Sequence, residues 1–202
     1  MGDDLIQKFG YTEMYEWSVV PDNKNRLGRF VTFDPKNEKD KSKILPYSKK
    51  NSYVLGVTSV NSVIESDNPN EWKYKNLCNE YGDLYLKPEK LAVGEKVYDQ
   101  YNEMNYIKTR PWEHFITMDN KYYDKEKKYV KRTNRIEWIR VTVLGKCIVA
   151  DDGTCKAGEF CTPYTGKIKE KQGTAIPASD KDTNKYYVLA RLSDSTILIY
   201  FK

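Results

Sequence analysis

The sequence predicts a mainly β protein, a single compact domain of short strands and hairpins with a polar insertion rich in Tyr and Lys. Short runs of β-branched and aromatic residues recur along the chain, and Gly, Pro, Asp and Asn separate them, as in strands joined by turns. Almost no window shows the 3.6-residue spacing of an amphipathic helix. With 202 residues, the chain is also long enough to bury a core of its own.

The predicted strands are runs in which β-branched or apolar residues dominate or alternate with polar ones. They cover residues 29–33, 53–60, 138–144, 147–150, 186–192 and 196–201. Two of them are followed by short polar segments, Asp151-Asp152-Gly153 and Ser193-Asp194-Ser195, which predict hairpin turns. Residues 71–79 are the one segment in which a short helix is expected.

Two polar stretches interrupt the strands. Residues 34–50 are rich in Lys, Asp, Asn and Ser, which predicts a long solvated loop. Residues 98–137 are polar and rich in Tyr, which predicts an arm or an elaborated insertion. The four tryptophans are expected to be core anchors rather than a sugar-binding platform, because large aromatic side chains dominate protein cores. They are Trp17, Trp72, Trp112 and Trp138.

The charge pattern gives little support to a nucleic-acid partner and none to a membrane. The net charge is only +5, and Lys is mixed with Asp and Glu along the chain. The densest basic cluster, residues 121–135, also contains tyrosines, so single-stranded nucleic acid stays an alternative partner through charge and stacking. Acidic residues in the same stretch are more typical of a solvated loop. No apolar run is long enough to span a bilayer.

Cysteine and histidine usage argues against a metal site. The four cysteines form no C-x-x-C pair, and His114 is the only histidine, so the close ligand spacings of zinc sites are missing. Cys147 and Cys161 fall in apolar, strand-like segments and are predicted to be buried free thiols. No phosphate-binding loop is visible. We therefore predict neither a metal nor a cofactor.

Seven segments carry a resemblance that covers almost the whole chain. They are YTEMYEW (11–17), PDNKNRLGRFVT (21–32), YVLGVTS (53–59), WKY with NEYG (72–74 and 79–82), YIKTRPW (106–112), VLGK (143–146), and DDGT with GEFCTP (151–154 and 158–163). In this order they resemble the peptidase G2 family, the autoproteolytic intramolecular-chaperone domain at the C-terminus of phage tailspike and appendage proteins. One family-like domain is thus expected over residues 1–202. Residues 114–135 form an insertion that the family pattern lacks.

The resemblance implies a self-cleavage reaction. Proteins of this family fold as trimers and then cut the chain just before the domain, at a Ser-Asp junction. A Glu three residues after that Asp acts in the cleavage. The matching catalytic residue here is Glu13, and the junction falls at Phe9-Gly10. Phe9 has no hydroxyl and Gly10 has no carboxylate, so we expect no protease activity. An autoproteolytic glutamic-type peptidase using Glu13 stays the alternative, and Glu13 on a water-facing edge strand is the purely structural interpretation.

These features together predict a virion structural or assembly protein, such as a minor capsid, collar or tail component. Its expected partners are viral capsid or tail proteins and further copies of itself, with a trimer as one arrangement. We expect it in the virion, after synthesis in the host cytoplasm. Only nine residues precede the matched junction, so no upstream body to be released is expected. The insertion, residues 114–135, is the predicted partner contact.

Overall fold

A computed structural model of the chain describes residues 10–22, 26–48, 53–60, 62–67, 72, 75–79, 81, 83–91, 96–98, 104–107, 112–118, 123–124, 126 and 128–202. Strands account for 43% of the structure. In the described residues, helical backbone is confined to two 3-10 helices, Arg132–Asn134 and Lys169–Lys171. The predicted mainly β fold is confirmed.

Fourteen strands form three sheets among the described residues. They are β1 (Tyr11–Glu16), β2 (Phe30–Phe33), β3 (Ile44–Pro46), β4 (Gly56–Ser59), β5 (Ile64–Ser66), β6 (Leu86–Leu91), β7 (Lys96–Tyr98), β8 (Met104–Ile107), β9 (Trp112–Thr117), β10 (Trp138–Ala150), β11 (Phe160–Pro163), β12 (Ala175–Pro177), β13 (Tyr186–Ser193) and β14 (Thr196–Phe201).

The chain divides into two compact units. The first comprises residues 1–68 and 130–202, and the second comprises residues 69–129. All strands of a ten-stranded, curled sheet belong to the first unit. The second unit holds two antiparallel ladders, β6 with β9 and β7 with β8. Because β7 and β8 lie between β6 and β9 in the sequence, the two ladders are nested.

Strand β10 is the centre of the large sheet. The sheet runs in the order β12-β11-β13-β14-β10-β4-β2-β3, and β1 joins it between β10 and β5. The first half of β10 pairs with β1 and β4, and its second half pairs with β14. Gly145 separates the two halves and has a φ of 99°, a left-handed conformation that glycine adopts without steric cost. One 13-residue strand therefore serves two parts of the sheet.

Two buried clusters hold this sheet together. The larger lies under β10, β13 and β14, where Tyr186 stacks between Phe30, at 5.0 Å, and Phe201, at 4.9 Å between ring centroids. The smaller cluster is built around Trp17, which directly follows β1, and Val141 of β10. Each fully buried large apolar side chain stabilises the fold by about 1.5–3 kcal/mol relative to an exposed one. Both clusters lie in the first unit.

The final hairpin is confirmed, and β10 differs from the prediction. Thr196–Phe201 is a strand as predicted, and Ser193 pairs with Thr196 across the turn. The predicted strands 138–144 and 147–150 are one continuous strand, because Gly145 bends β10 without ending it.

The hairpin predicted at Asp151-Asp152-Gly153 is wrong. The next strand, β11, pairs with β12 and β13 and not with β10. Asp151 instead forms a parallel bridge to Ala175. After these polar residues the chain leaves the ladder, and β14, not β11, is the partner of this half of β10.

Two further local predictions need correction. The loop expected over residues 34–50 contains β3, which pairs with β2 through Val31–Pro46 and Phe33–Ile44. The helix expected over residues 71–79 is absent from the part of that segment which the structure describes. There Cys78 forms an antiparallel bridge with Leu84. Backbone pairing within the second unit outweighs the weak helical spacing of this segment.

Candidate functional site

The strand that carries the predicted catalytic residue lies inside the large sheet. Glu13 is opposite Val141 in the antiparallel pairing with β10 and opposite Ser66 in the parallel pairing with β5. Alternate side chains of a strand point to opposite faces, so Thr12 and Met14 are buried while Glu13 is half-buried. The interpretation of β1 as an edge strand is wrong at Glu13, because β1 has partners on both sides at this position.

The carboxylate of Glu13 is held by a neighbour on its own strand. The phenol of Tyr15 donates a hydrogen bond of 2.5 Å to Oε2 of Glu13. Burial raises the pKa of Tyr15 above its ordinary value, and the hydrogen bond and negative charge of Glu13 act in the same direction. The phenol therefore keeps its proton and orients the carboxylate. The catalytic role of Glu13 stays a prediction.

The junction position just before β1 is packed backbone to backbone. Gly10 has a φ of 36°, in the left-handed region, and its carbonyl accepts a 3.1 Å hydrogen bond from the N–H of Val63. A Cβ at this position would lie 2.8 Å from Cγ2 of Thr142 and well inside the contact distance of the carbonyl oxygen of Leu144. In this backbone conformation, the site matched to the family's Asp has room only for glycine. Phe9 lies outside the described residues.

Gly10 lies just before β1, whereas Glu13 lies within it. Gly10 packs against Thr142 and Leu144 in a left-handed backbone conformation, outside the regular strand. Within one copy of the chain, the group that faces the Glu13 carboxylate is the phenol of Tyr15. The structure therefore brings together Glu13 and Tyr15, not Glu13 and the matched junction.

A cavity of about 380 Å³ opens elsewhere in the first unit, and three arginines line it. Arg26 precedes β2, Arg135 follows the first 3-10 helix, and Arg140 lies in β10. The guanidinium of Arg26 donates to the carbonyl oxygens of Ile136, at 2.7 Å, and Trp138, at 3.1 Å. Because carbonyls carry no net charge, these hydrogen bonds hold Arg26 in place without neutralising its positive charge.

The outer face of the sheet carries a row of exposed aromatic residues. Phe160 on β11 is opposite Tyr187 on β13, which is opposite Tyr200 on β14. Their exposed fractions are 52%, 42% and 44%, and the rings of Phe160 and Tyr187 meet edge to face at 5.5 Å between centroids. The residues next to them in the strands, such as Val188 and Ile199, are fully buried on the other face.

Three thiols are buried and one is exposed. Cys147 and Cys161 are buried free thiols, as predicted, and Cys155 is buried as well. Burial raises the pKa of each of the three, to about 12 for Cys155. Neutral, inaccessible thiols are poor nucleophiles. Among the described residues, no group of three or more His, Cys, Asp and Glu side chains could hold a metal ion.

The tryptophans have different environments. Trp17 is 2% exposed, which confirms a core position. Trp138 is half-buried, and the guanidinium carbon of Arg132 lies 3.9 Å above its ring centroid. Trp72 is half-buried beside Tyr129 within the second unit. The side chain of Trp112 lies outside the described residues.

Sequence reasoning missed the aromatic row and the arginine-lined cavity for different reasons. The alternation in residues 186–192 and 196–201 was a usable signal. If Val188 and Ile199 face the core, then Tyr187 and Tyr200 must face outward. The arginines gave no such signal, because they come from separate segments that only the fold brings together.

Comparison with protein families decides the relationship that the motifs indicated. The family model described as "Peptidase_G2, IMC autoproteolytic cleavage domain" matches residues 6–187. This chain belongs to the peptidase G2 family. The match covers β1 with Glu13, the arginines of the cavity, and Phe160 and Tyr187 of the aromatic row, whereas Tyr200 lies beyond it.

Two solved structures resemble this peptidase G2 chain in fold. The crystal structure of the pre-mature bacteriophage phi29 gene product 12 aligns with 97% of the chain at a TM-score of 0.60 and 19% identity. That of the phi29 gene product 12 C-terminal fragment aligns with 95% at a TM-score of 0.58 and 20% identity. The chain spans 22% of the pre-mature protein and 99% of the fragment.

At these identities the two structures show the fold alone. No curated protein sequence matches the chain. In the part of the chain that the structure describes, no helix is long and apolar enough to cross a membrane.

Proposed function

We propose that this chain is a structural or assembly protein of a bacteriophage particle, such as a minor capsid, collar or tail component. It derives from an intramolecular-chaperone domain and acts without cleaving itself. It assembles with further copies of itself through the outer aromatic face of the sheet. The proposal rests on the peptidase G2 family match and on the fold shared with a phage protein.

The observation that carries the assembly role is the row of Phe160, Tyr187 and Tyr200. Exposed aromatic residues on a rigid sheet bury much area at little entropic cost, and Tyr is enriched at interface hot spots. The three side chains stand in register on adjacent strands, so they present one continuous surface rather than scattered apolar atoms. A second copy of the chain, carrying the same row, is the proposed occupant.

The absence of self-cleavage is supported by the packing of Gly10. The matched junction requires an acidic side chain at this position, and the backbone around it leaves no room for one. The insertion, residues 114–135, stays a second predicted contact, and several of its residues lie outside the described part of the chain.

The test of assembly compares Tyr187→Asp with Tyr81→Asp by sedimentation equilibrium. Tyr81 is 83% exposed and belongs to the second unit, so its substitution is chemically matched and leaves the aromatic row intact. We expect the unchanged chain and Tyr81→Asp to form the same oligomer, and Tyr187→Asp to be monomeric or weakened. A monomeric wild type at all concentrations would contradict the proposal. Incorporation of each variant into particles then tests the virion role directly.

The family description favours one alternative, a self-cleaving peptidase of the glutamic type that uses Glu13. Intact-mass measurement after long incubation separates the two functions. Full-length protein, identical for wild type and Glu13→Ala, supports the structural role. A product that begins at Gly10 in the wild type and is missing in Glu13→Ala would establish the peptidase instead.

A further inference from the structure

We infer that the arginine-lined cavity of the first unit is a docking groove for an extended, acidic segment of a partner protein. The groove shares no residue with the aromatic row. Its recognition elements are a cationic end, at Arg26, Arg135 and Arg140, and an apolar end, at Leu27, Val60 and Ile148.

The cationic end carries an excess of positive charge. Three guanidinium groups line the cavity, and no Asp or Glu is among the described residues that line it. Arg140 is paired with Glu65, and Arg135 has Glu137 at 3.8 Å. Arg26 donates only to neutral carbonyls among the contacts described above. An anion that enters therefore meets a fixed positive charge at Arg26 and a partly neutralised one at Arg135.

One polar side chain that lines the same cavity has an unused hydroxyl. The hydroxyl of Ser59 is buried and has no hydrogen-bond partner among the described residues. Ser59 is opposite Arg140 in the pairing of β4 with β10, so the hydroxyl lies beside the charged end. A buried hydroxyl without a partner is costly, so the Ser59 side chain gains a hydrogen bond if it rotates toward a carboxylate oxygen in the cavity. Guanidinium groups also bind carboxylates in a two-pronged geometry.

The apolar end of the groove determines which residues can follow the acidic residue of the bound peptide. A neighbouring cavity of about 320 Å³ shares Leu27, Ser59 and Val60 with the first and extends past Ile148 and Ala150. Leu27 and Val60 are 45% and 55% exposed, so apolar surface is available there. A free small anion would leave this part of the groove empty. A peptide in which an Asp or Glu is followed by apolar residues fills both ends.

The test probes the full chain with an array of octapeptides in which one Asp or Glu is followed by two apolar residues. Matched peptides carry Asn or Gln in place of the acid. The strongest pair is then measured by fluorescence anisotropy. We expect the acidic peptide to bind roughly tenfold more tightly than its amide match, the effect of one charge-assisted hydrogen bond.

Three variants assign the binding to the groove. Arg135→Gln removes a cation and Val60→Asn removes apolar surface, and each is expected to weaken the acidic peptide roughly tenfold. Lys156→Gln, an exposed residue that does not line the groove, removes the same charge and should leave binding unchanged. Thermal melting confirms that each variant is folded before its binding is compared.

Three outcomes would overturn the inference. One is an array without preference for acid over amide peptides. A second is equal weakening by Lys156→Gln and Arg135→Gln, which would indicate nonspecific charge attraction. The third is occupation of the groove by another ligand: either inorganic phosphate displaces the bound peptide, or a peptide of residues 1–9, which carries Asp3, Asp4, Leu5 and Ile6, binds more strongly. Those results would assign the groove to a bare anion or to the chain itself.

Discussion

Gly10 and Gly145 lie against each other without side chains between them. A Cβ built on Gly145 would stand 3.0 Å from Cα of Gly10, and both glycines have positive φ values, 36° and 99°. The approach occurs where β10 turns from its pairing with β1 to its pairing with β14. Gly10, which matches the family's cleavage junction, thus forms part of a close contact between two backbone segments, here called the backbone crossing.

Restoring a side chain at this crossing should destabilise the protein. We expect Gly10→Ala and Gly10→Asp to lose about 1–2 kcal/mol from the positive φ and about 1–3 kcal/mol more from overpacking against Thr142 and Leu144. The free energy of unfolding, from urea titration, measures the loss. Mass spectrometry of Gly10→Asp should still show an intact N-terminus.

The matched control is Gly158→Ala. Gly158 has a φ of 84°, but a Cβ there would meet nothing closer than the hydroxyl of Tyr187, at 3.9 Å. Gly158→Ala therefore introduces the backbone strain without the clash, and it should lower the free energy of unfolding only by the contribution of the positive φ, about 1–2 kcal/mol. Equal losses at Gly10 and Gly158 would show that the crossing tolerates a side chain.

A second prediction concerns the buried carboxylate of Asp151. It accepts hydrogen bonds from the guanidinium of Arg191, at 2.7 Å, and from the backbone N–H of Cys155, at 3.2 Å. Asp151→Ala leaves the N–H of Cys155 without its acceptor, so we expect a loss of about 1–3 kcal/mol in unfolding free energy. Asp180→Ala, at an exposed position, should change it by less than about 0.5 kcal/mol. Similar values for both variants would contradict the structural role of Asp151.

The sequence predicted those parts of the fold that depend on local pattern. The alternation of Thr196–Phe201 and the turn at Ser193 sufficed for the last hairpin, because its two strands are neighbours in sequence. The turn residues at Asp151 predicted a reversal but not its destination, since β11 pairs with strands that follow it. The local sequence therefore predicts where a strand ends, whereas the pairing of the next strand depends on the whole sheet.

The candidate site shows the same division. The order of seven motifs indicated the family, and the resemblance singled out Glu13. That β1 is paired on both sides follows from β5, a three-residue strand with no clear signal in the sequence. Likewise, the groove arginines meet because β4 and the segment before β2 approach β10, and no local spacing encodes that approach.

A third prediction concerns thiol accessibility. Cys78 is exposed, whereas Cys147, Cys155 and Cys161 are buried. An aromatic disulfide reagent at neutral pH should modify Cys78 quickly and the other three only at the rate of unfolding. Cys78→Ser should remove the fast phase. More than one fast thiol in the native protein would show that the larger core cluster opens locally.

The last prediction is a loss of stability at alkaline pH, caused by the same buried thiols. Burial raises the pKa of Cys147 and Cys161 above the ordinary range, and raises that of Cys155 to about 12. In the unfolded chain a thiol loses its proton near pH 8.5. Below that pH both states hold the proton, so the stability is fully present. Above it the unfolded state releases protons that the folded state retains, and the free energy of unfolding falls as pH rises.

The free energy of unfolding should begin to fall near pH 8.5. Each proton that the folded state retains and the unfolded state releases contributes about 1.4 kcal/mol per pH unit to the slope. Urea titrations from pH 7 to about pH 9 in the presence of a reductant measure it before the unfolded-state tyrosines, whose pKa lies near 10, lose their protons to a large extent. Cys147→Ala should make the fall less steep, because it removes one retained proton, whereas Cys78→Ala at the exposed site should leave the slope unchanged. A free energy of unfolding that stays constant over this range would mean that the three thiols ionise as easily in the folded protein as in the unfolded chain, which is incompatible with their burial.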